Sequence, residues 1–382
     1  MLFTKQWRMT EKSLLTLGQS VAYIRAINNT PILPGYYEDL MRLALIKGAQ
    51  STTAIEGNTL SDEEIEKLKN GESLPQSKEY MEVEIRNILD AFNEILFETV
   101  YENKEQLVSK ELLLRFHKMV GKNLGDHFKA IPGKFRENDV TVGNYRCPDH
   151  RDVIPLIDKY CQWLRTEFNY ESGQQEFQHI IIQAIVAHIY LEWIHPFGDG
   201  NGRTGRLIEF YILSRGGSPD IALHILSNHY NATRVEYYRQ IENATASKDL
   251  SAFIEYALLG FRDGLQTTLD KIQSSQLIIA WQKFVYDKFH VISMKHKEVF
   301  KRKRTLALEI PIDRKFSAVE IPRLNINLAA LYSSIGIKTI DRDLEELVDN
   351  KIIIKEGSYY FANISALNKM IAKRRGLVPG TS

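Results

Sequence analysis

Hydrophobic positions recur at helical spacing along most of the chain. Residues Tyr37–Glu56 predict a helix with Leu40, Leu43, Ala44 and Ile46 in one stripe and Gly57-Asn58 as its stop. Ser61 and Glu64 have the spacing of a capping box opening a short helix. Lys78–Val100 predicts a longer helix, with Ile85, Ile88, Leu89, Phe92, Ile95 and Leu96 on one side, and Ser109–Val120 another. Phe177–Ile194 is apolar on most faces, which predicts a buried central helix. It must stop before His195, because Pro196 disfavours helical geometry in the residue before it. Further helices are expected over Asn201–Ser214, ended by Gly216-Gly217, over Ala232–Ala246, and from Leu250 to about Phe289.

Two stretches break the helical rhythm. Pro132–Arg146 has short alternation at Phe135, Val140 and Val142 among turn formers, and predicts a β-hairpin. Near Lys295–Arg304 the composition shifts to KHKEVFKRKR. Helices are then expected over Ile326–Ser334 and Thr339–Val348, followed by strands Lys351–Lys355 and Tyr359–Ala362 around Glu356-Gly357-Ser358. That order is the one expected of a winged helix. The reading is a mainly α protein with three parts: a helical region 1–105, a helical core 106–285, and a winged-helix-like domain 286–382.

Composition narrows the function classes. The chain has 382 residues, and 49 Lys+Arg against 48 Asp+Glu leave a net charge of +1. Bulk charge therefore does not predict nucleic-acid binding, and any basic surface must be local. Two cysteines, Cys147 and Cys161, make neither a disulfide framework nor a zinc cluster and are expected as reduced thiols. The N-terminus lacks the order of a secretory signal, and Ile180–Ile194, interrupted by Gln183, His188 and Glu192, reads as too short and too polar to span a bilayer. A cytoplasmic protein without a membrane partner is the expectation.

The chemistry is concentrated in Ile194-His195-Pro196-Phe197-Gly198-Asp199-Gly200-Asn201-Gly202-Arg203-Thr204-Gly205-Arg206. A helix end delivers a histidine, a glycine-rich turn follows, and a new helix opens. Backbone N–H groups at a helix N-terminus bind anions, and glycines let a phosphate come close. Arg203 and Arg206, three apart, add two positive charges near one face of the first turn. Asp199 is the only acid in the loop and suits Mg²⁺ beside phosphates. His195 is placed to accept a proton from an attacking hydroxyl. No cysteine, serine or lysine in the loop offers a covalent nucleophile. The glycines do not follow a strand, and GxxxxGK[ST] is absent, so neither a dinucleotide fold nor a P-loop fits. In-line transfer of a phosphoryl-type group, with a histidine base and one metal, is the reading.

This stretch resembles the signature of the Fic (filamentation induced by cAMP) family, HPF-x-[DE]-GNGRT-x-R, at every fixed position from His195 to Arg206. It is similar to the AMP-transferring branch rather than the Doc toxins. The resemblance implies a Fic-type helical bundle and transfer of AMP from ATP to a Tyr, Thr or Ser hydroxyl of a protein. His195 would be the general base and Asp199 the Mg²⁺ ligand. Gly200, Asn201 and Gly202 would form the anion hole, and Thr204 and Gly205 belong to the same phosphate-binding stretch. Arg203 and Arg206 would hold the phosphate chain, Phe197 would anchor the loop, and Tyr238 would contact the adenosine. The hairpin 132–146 resembles the family's flap, on which a target segment would dock by strand addition. Self-modification and a homodimer are in keeping with the resemblance.

Upstream, Thr52-Thr53-Ala54-Ile55-Glu56-Gly57 matches the family's inhibitory pattern, [ST]-x-x-x-E-[GN]. The resemblance implies an N-terminal inhibitory helix, about 37–57, with Glu56 on Arg206 in place of the γ-phosphate. Removal of AMP through Glu56, transfer of another nucleotide, phosphocholine or phosphate by the same loop, and a degenerate scaffold are the alternatives. A different class is a winged-helix DNA-binding regulator. Its expected recognition helix, Thr339–Val348, is rich in acids and has one arginine, Arg342. Protein docking or dimerisation is therefore preferred over DNA.

Overall fold

The computed structural model describes residues 3–69, 72, 74–104, 106–168, 177–291 and 297–367. The chain forms two compact units, 1–270 and 271–382. The first holds α1 (Glu11–Asn28), α2 (Pro34–Ile55), α3 (Asp62–Lys69), α4 (Glu79–Leu96), α5 (Lys110–Val120), the strands β1 (Thr141–Val142) and β2 (Tyr145–Arg146), α6 (Val153–Glu167), α7 (Phe177–Ile194), α8 (Asn201–Arg215), α9 (Ile225–Ala232), α10 (Arg234–Ser247) and the start of α11 (Ser251–Val291).

Helix α7 is the axis of this unit. Ile181, Ala184, Ile185, Val186, Ala187, Ile189 and Leu191 are wholly buried. Each large aliphatic side chain removed from water contributes about 1.5–3 kcal/mol. The helix begins at Phe177, so it has the length and composition to cross a bilayer. Its polar side chains are engaged inside the protein: His188 Nε2 pairs with the Tyr237 hydroxyl at 2.9 Å, and Gln183 donates to the Leu164 carbonyl at 3.4 Å. Helix α8 packs along α7 and runs back from the glycine-rich turn.

Helix α2 departs from its expected stripe. It starts at Pro34, where a proline in the first turn needs no hydrogen-bond partner. Leu43 is 57% exposed, and the buried positions are Ala44, Gly48, Ala49, Ser51, Thr52, Thr53 and Ile55. The helix packs on α4 and α9, and its buried positions are mostly small, with Ile55 the large one among them. A Cβ on Gly48 would lie 2.6 Å from that of His224. Ser61 and Glu64 do form the capping box that opens α3, at 3.2 and 3.0 Å. The helix expected over Lys78–Val100 is divided: α4 ends at Leu96, and Phe97–Tyr101 forms a wider π-type turn.

The hairpin is smaller than the 132–146 stretch expected. Only Thr141–Val142 and Tyr145–Arg146 pair, around Gly143 at φ +55°. Residues before Thr141 are irregular because the buried Arg136 claims the local carbonyls, donating to those of Asn138 (2.8 Å) and Pro148.

Beyond the end of α11 the second unit holds α12 (Lys297–Glu309), β3 (Phe316–Ser317), α13 (Ile321–Leu324), α14 (Ile326–Tyr332), α15 (Ile337–Asp349), β4 (Ile353–Glu356) and β5 (Tyr359–Ala362). The sheet order is β3-β5-β4, antiparallel throughout, with Ile353 opposite Ala362 and Phe316 opposite Tyr360. Phe316, Leu328, Leu344, Ile352 and Tyr360 share a core with Trp281 and Leu306. The basic run read at Lys295–Arg304 is mostly α12, although Lys295 and His296 lie outside the described residues. Arg302 donates to the buried Asp343 at 2.7 and 3.0 Å, Lys303 pairs with Glu346, and the Tyr332 hydroxyl donates to Asp343 at 3.1 Å. Two cations of the basic run are thus paired with two acids of α15.

Asp343→Ala leaves Arg302 without its carboxylate and takes one of two carboxylates from the buried Lys303. Removing one partner of a buried ion pair costs about 3–5 kcal/mol, so a clearly lower urea midpoint is expected. Arg323→Ala, in the same unit, is expected to leave the midpoint nearly unchanged.

Candidate active site

The turn between α7 and α8 is built by its own side chains. His195 ends α7 in the left-handed region at φ +48°, its N–H donating to the Leu191 carbonyl at 2.8 Å. Asn201 closes the turn by accepting from Phe197 N–H and donating to Phe197 O, both at 2.9 Å. Gly200 sits at φ +77°, and a Cβ there would meet the Phe128 ring at 2.9 Å. No side chain caps α8, so its N-terminal amides remain available to an anion.

The two loop arginines have separate partners. Arg203 pairs with Glu84 and, at 2.9 Å, with Asp199. Glu84 also accepts from Asn58 at 3.0 Å. Burial pushes the Glu84 carboxyl up, with Arg203 and Asn58 pulling against it. Arg206 is 1% exposed and donates from Nη2 to Glu56 (2.7 Å) and to the Thr52 carbonyl (2.9 Å). Burial disfavours its charge, and Glu56 restores it, so the guanidinium stays protonated. Its Nε and Nη1 have no hydrogen-bond partner among the described residues. Each unmet buried donor costs about 1–3 kcal/mol. Nη1 lies beside Gly202, where an added Cβ would be 2.9 Å from it and 2.3 Å from Glu56 Oε1.

Asp199 organises the turn. It accepts from Gly200 N–H (2.6 Å), Arg203 (2.9 Å) and Lys129 N–H (3.0 Å). Its carbonyl faces His117 Nε2 at 3.0 Å, while His117 Nδ1 accepts from Gly133 N–H at 3.0 Å. His117 is therefore the Nε2–H tautomer. It stacks on Phe197 at 3.7 Å, and burial lowers its pKa to about 4, so it is neutral. Arg136 donates from Nε to His195 O (2.8 Å) and from its backbone to Pro196 O (2.9 Å), fixing the segment before the hairpin to the loop.

Beside this loop opens a cavity of about 550 Å³, lined by Val142–Tyr145, Glu192, Trp193, Tyr238 and the Ile241–Ala246 stretch of α10. Tyr238 is 45% exposed, and its hydroxyl donates to the Ile55 carbonyl at 2.9 Å, next to Glu56.

Residues 107–213 match the model of the Fic/DOC family. This chain carries a Fic/DOC domain. Over 235 residues it is 30% identical to the protein adenylyltransferase Fic of Culex quinquefasciatus, covering 59% of this chain and 41% of that protein. It is 28% identical over 237 residues to the protein adenylyltransferase fic-1 of Caenorhabditis elegans, covering 62% and 43%. The chain thus spans about two fifths of the length of the curated relatives it matches. A solved fragment of Fic-1 from C. elegans superposes with a TM-score of 0.56 at 25% identity, covering 69% of this chain and 73% of that one. A Fic family protein from Desulfovibrio desulfuricans shares the fold over 94% of this chain and 98% of its own, with a TM-score of 0.57 at 19% identity.

The structure sets Glu56 on Arg206, at the end of the stretch from His195 that the sequence singled out, and Tyr238 on the Ile55 carbonyl beside Glu56. Sequence reading missed Glu84, His117, Arg136 and Glu192. His117 and Arg136 lie far from the loop in sequence and carried no spacing signal. Glu192 was read only as a polar interruption of α7, although it lies three residues before His195.

His117 gives a pH signature. Its folded pKa, about 4, lies below the ordinary 6.5, so the unfolded chain binds this proton first as pH falls. The stability it contributes is present above 6.5 and is lost as pH falls toward 4, by about 3 kcal/mol in all. His117→Phe keeps the ring on Phe197, so its urea midpoint is expected to fall less steeply over that window than the native one.

Proposed function

We propose that this chain transfers AMP from ATP to a hydroxyl side chain of a protein, and that Glu56 holds the reaction in check. The observation that carries the reading is Arg206: a buried guanidinium with two unmet donors, beside the uncapped α8 N-terminus, with a carboxylate in the place a phosphate would take.

In the transfer, the acceptor oxygen attacks the α-phosphorus, the bond to the bridging oxygen breaks, and pyrophosphate leaves. His195 takes the hydroxyl proton at Nε2. The amides of Gly202 and its neighbours, with Arg206, hold the phosphate chain; Thr204 and Gly205 keep the first turn of α8 in place. Arg203 reaches the phosphates through its grip on Asp199. Asp199 fits Mg²⁺ through donor chemistry alone: it is a single carboxylate, a quarter exposed, whose oxygens retain lone pairs beyond the bonds they accept. Magnesium bound there would neutralise phosphate charge, with its other positions left to phosphates and water. The cavity beside Tyr238 has the size for a nucleoside, and the edge of the 141–146 hairpin suits strand addition by a target segment.

Glu56 would act by occupying Arg206. An ATP bound with misplaced phosphates reacts slowly, and each factor of ten needs only about 1.4 kcal/mol. For the second unit, the reading is a winged-helix-like module for protein docking or dimerisation, because Arg302 and Lys303 are spent on α15.

Transfer of label from α-³²P-ATP with Mg²⁺ to the chain itself tests this. Glu56→Gly is expected to label at least about tenfold faster than the native chain, and Glu56→Gly/His195→Ala not at all. Equal labelling by native and Glu56→Gly removes the brake and keeps the transferase. No label in any form, with ATP bound, overturns AMP transfer in favour of another donor nucleotide or of AMP removal.

A further inference from the structure

We propose that Glu192 is the positioning residue of His195: its carboxylate takes the imidazole Nδ1–H and leaves Nε2 bare to receive the acceptor's proton. The role assigned to Nε2 rests on the function proposed above; the pairing does not.

Glu192 lies one turn before His195 at the end of α7. Its side chain is 15% exposed, and Oε2 is 3.6 Å from His195 Nδ1. Catalytic hydrogen bonds are often this long before substrate binds and tighten afterwards. Neither Glu192 Oε1 nor His195 Nδ1 has a hydrogen-bond partner among the described residues. A carboxylate with so little solvent is costly unless a donor meets it.

Other charged and titratable groups face the pair from every element packed on it. On α7, His188 faces Glu209 with Nδ1 at 3.2 Å and the Tyr237 hydroxyl with Nε2 at 2.9 Å. On α8, Arg206 gives Nη2 to Glu56 and Thr52, and its charge acts on Glu192 with no hydrogen bond joining them. On α10, Tyr237 is the partner of His188. After β2, Cys147 is a buried thiol that burial pushes up to about 11, so it brings no charge. Among the described residues, His195 is the group within ion-pair distance of the Glu192 carboxylate. Burial alone would raise the Glu192 carboxyl, but the neighbouring His195, His188 and Arg206 outweigh it and bring it below its ordinary value.

The surroundings fix the pair. A Cβ on Gly205 would lie 3.5 Å from His188 Nδ1 and 3.7 Å from Glu192 Oε1, so the α8 backbone walls in the carboxylate. Arg136 holds the His195 carbonyl at 2.8 Å. With the backbone fixed on one side and Nδ1 on the other, the free position of the ring is Nε2. Which nitrogen carries the proton is set by the bond the other one makes.

The test reads the tautomer directly. The full chain labelled with ¹⁵N-histidine is studied where imidazoles are neutral, and the His195 signals are assigned by their loss in His195→Ala. The native ring is expected as Nδ1–H. Glu192→Leu removes the acceptor and is expected to shift the ring to mostly Nε2–H. Glu192→Gln keeps an acceptor oxygen and is expected to restore most of the Nδ1–H form. In the Glu56→Gly background, kcat for self-labelling from α-³²P-ATP is expected to fall about tenfold to a hundredfold in Glu192→Leu and to recover in Glu192→Gln. The KM for ATP is expected to stay within about twofold. An Nε2–H ring in the native chain, or an Nδ1–H ring in Glu192→Leu, overturns the proposal. A rate loss in Glu192→Leu with the tautomer unchanged also overturns it, as a merely structural role. If the tautomer follows Glu192 while no form transfers label, the pairing stands and the transferase reading falls. Should Glu192→Leu not fold, Glu192→Asp, one methylene too short to reach Nδ1, is read in the same way.

Discussion

A single buried guanidinium organises the candidate site. Arg206 is held almost out of water on the first turn of α8, where its charge is unfavourable without a negative partner. In this structure Glu56 from the end of α2 supplies that partner. The requirement reaches outward. Helix α2 must bring Glu56 within 2.7 Å, which it does by docking through Gly48, Ala49, Ser51 and Thr52 instead of large side chains. Helix α8 must begin at a left-handed glycine, and the loop before it must be pinned by Asn201, Asp199 and Arg136.

Much of this was legible in the chain, because the informative residues are close together in sequence. The run from His195 to Arg206 states its chemistry within one turn and one helix start, and Pro196 fixes where α7 must end. The capping box at Ser61 and Glu64 is equally local. What sequence did not disclose depends on distance along the chain. His117 supports Phe197 from α5, Glu84 ties Arg203 from α4, and Arg136 holds His195 from the segment before the hairpin. None has a period or spacing that marks it. Of the stripe expected on α2, Leu43 lies exposed for a related reason: periodicity assumes that large apolar groups face the core, whereas close helix packing at Gly48 leaves no room for one.

The second unit shows how composition alone misleads. A basic run and an acid-rich helix, read separately, suggest a surface for nucleic acid and a surface unfit for it. In three dimensions Arg302 and Lys303 meet Asp343 and Glu346, and much of each charge is spent on the other. The two-residue strand β3, too short to carry any alternation, completes the sheet beside β5.

Gly202 carries one more consequence. The space where its side chain would stand is shared by Glu56 Oε1 and Arg206 Nη1. A side chain at this position would therefore displace the Glu56 carboxylate and crowd the Arg206 guanidinium at the same time. A change on the α2 side, by contrast, frees Arg206 without filling the space in front of it.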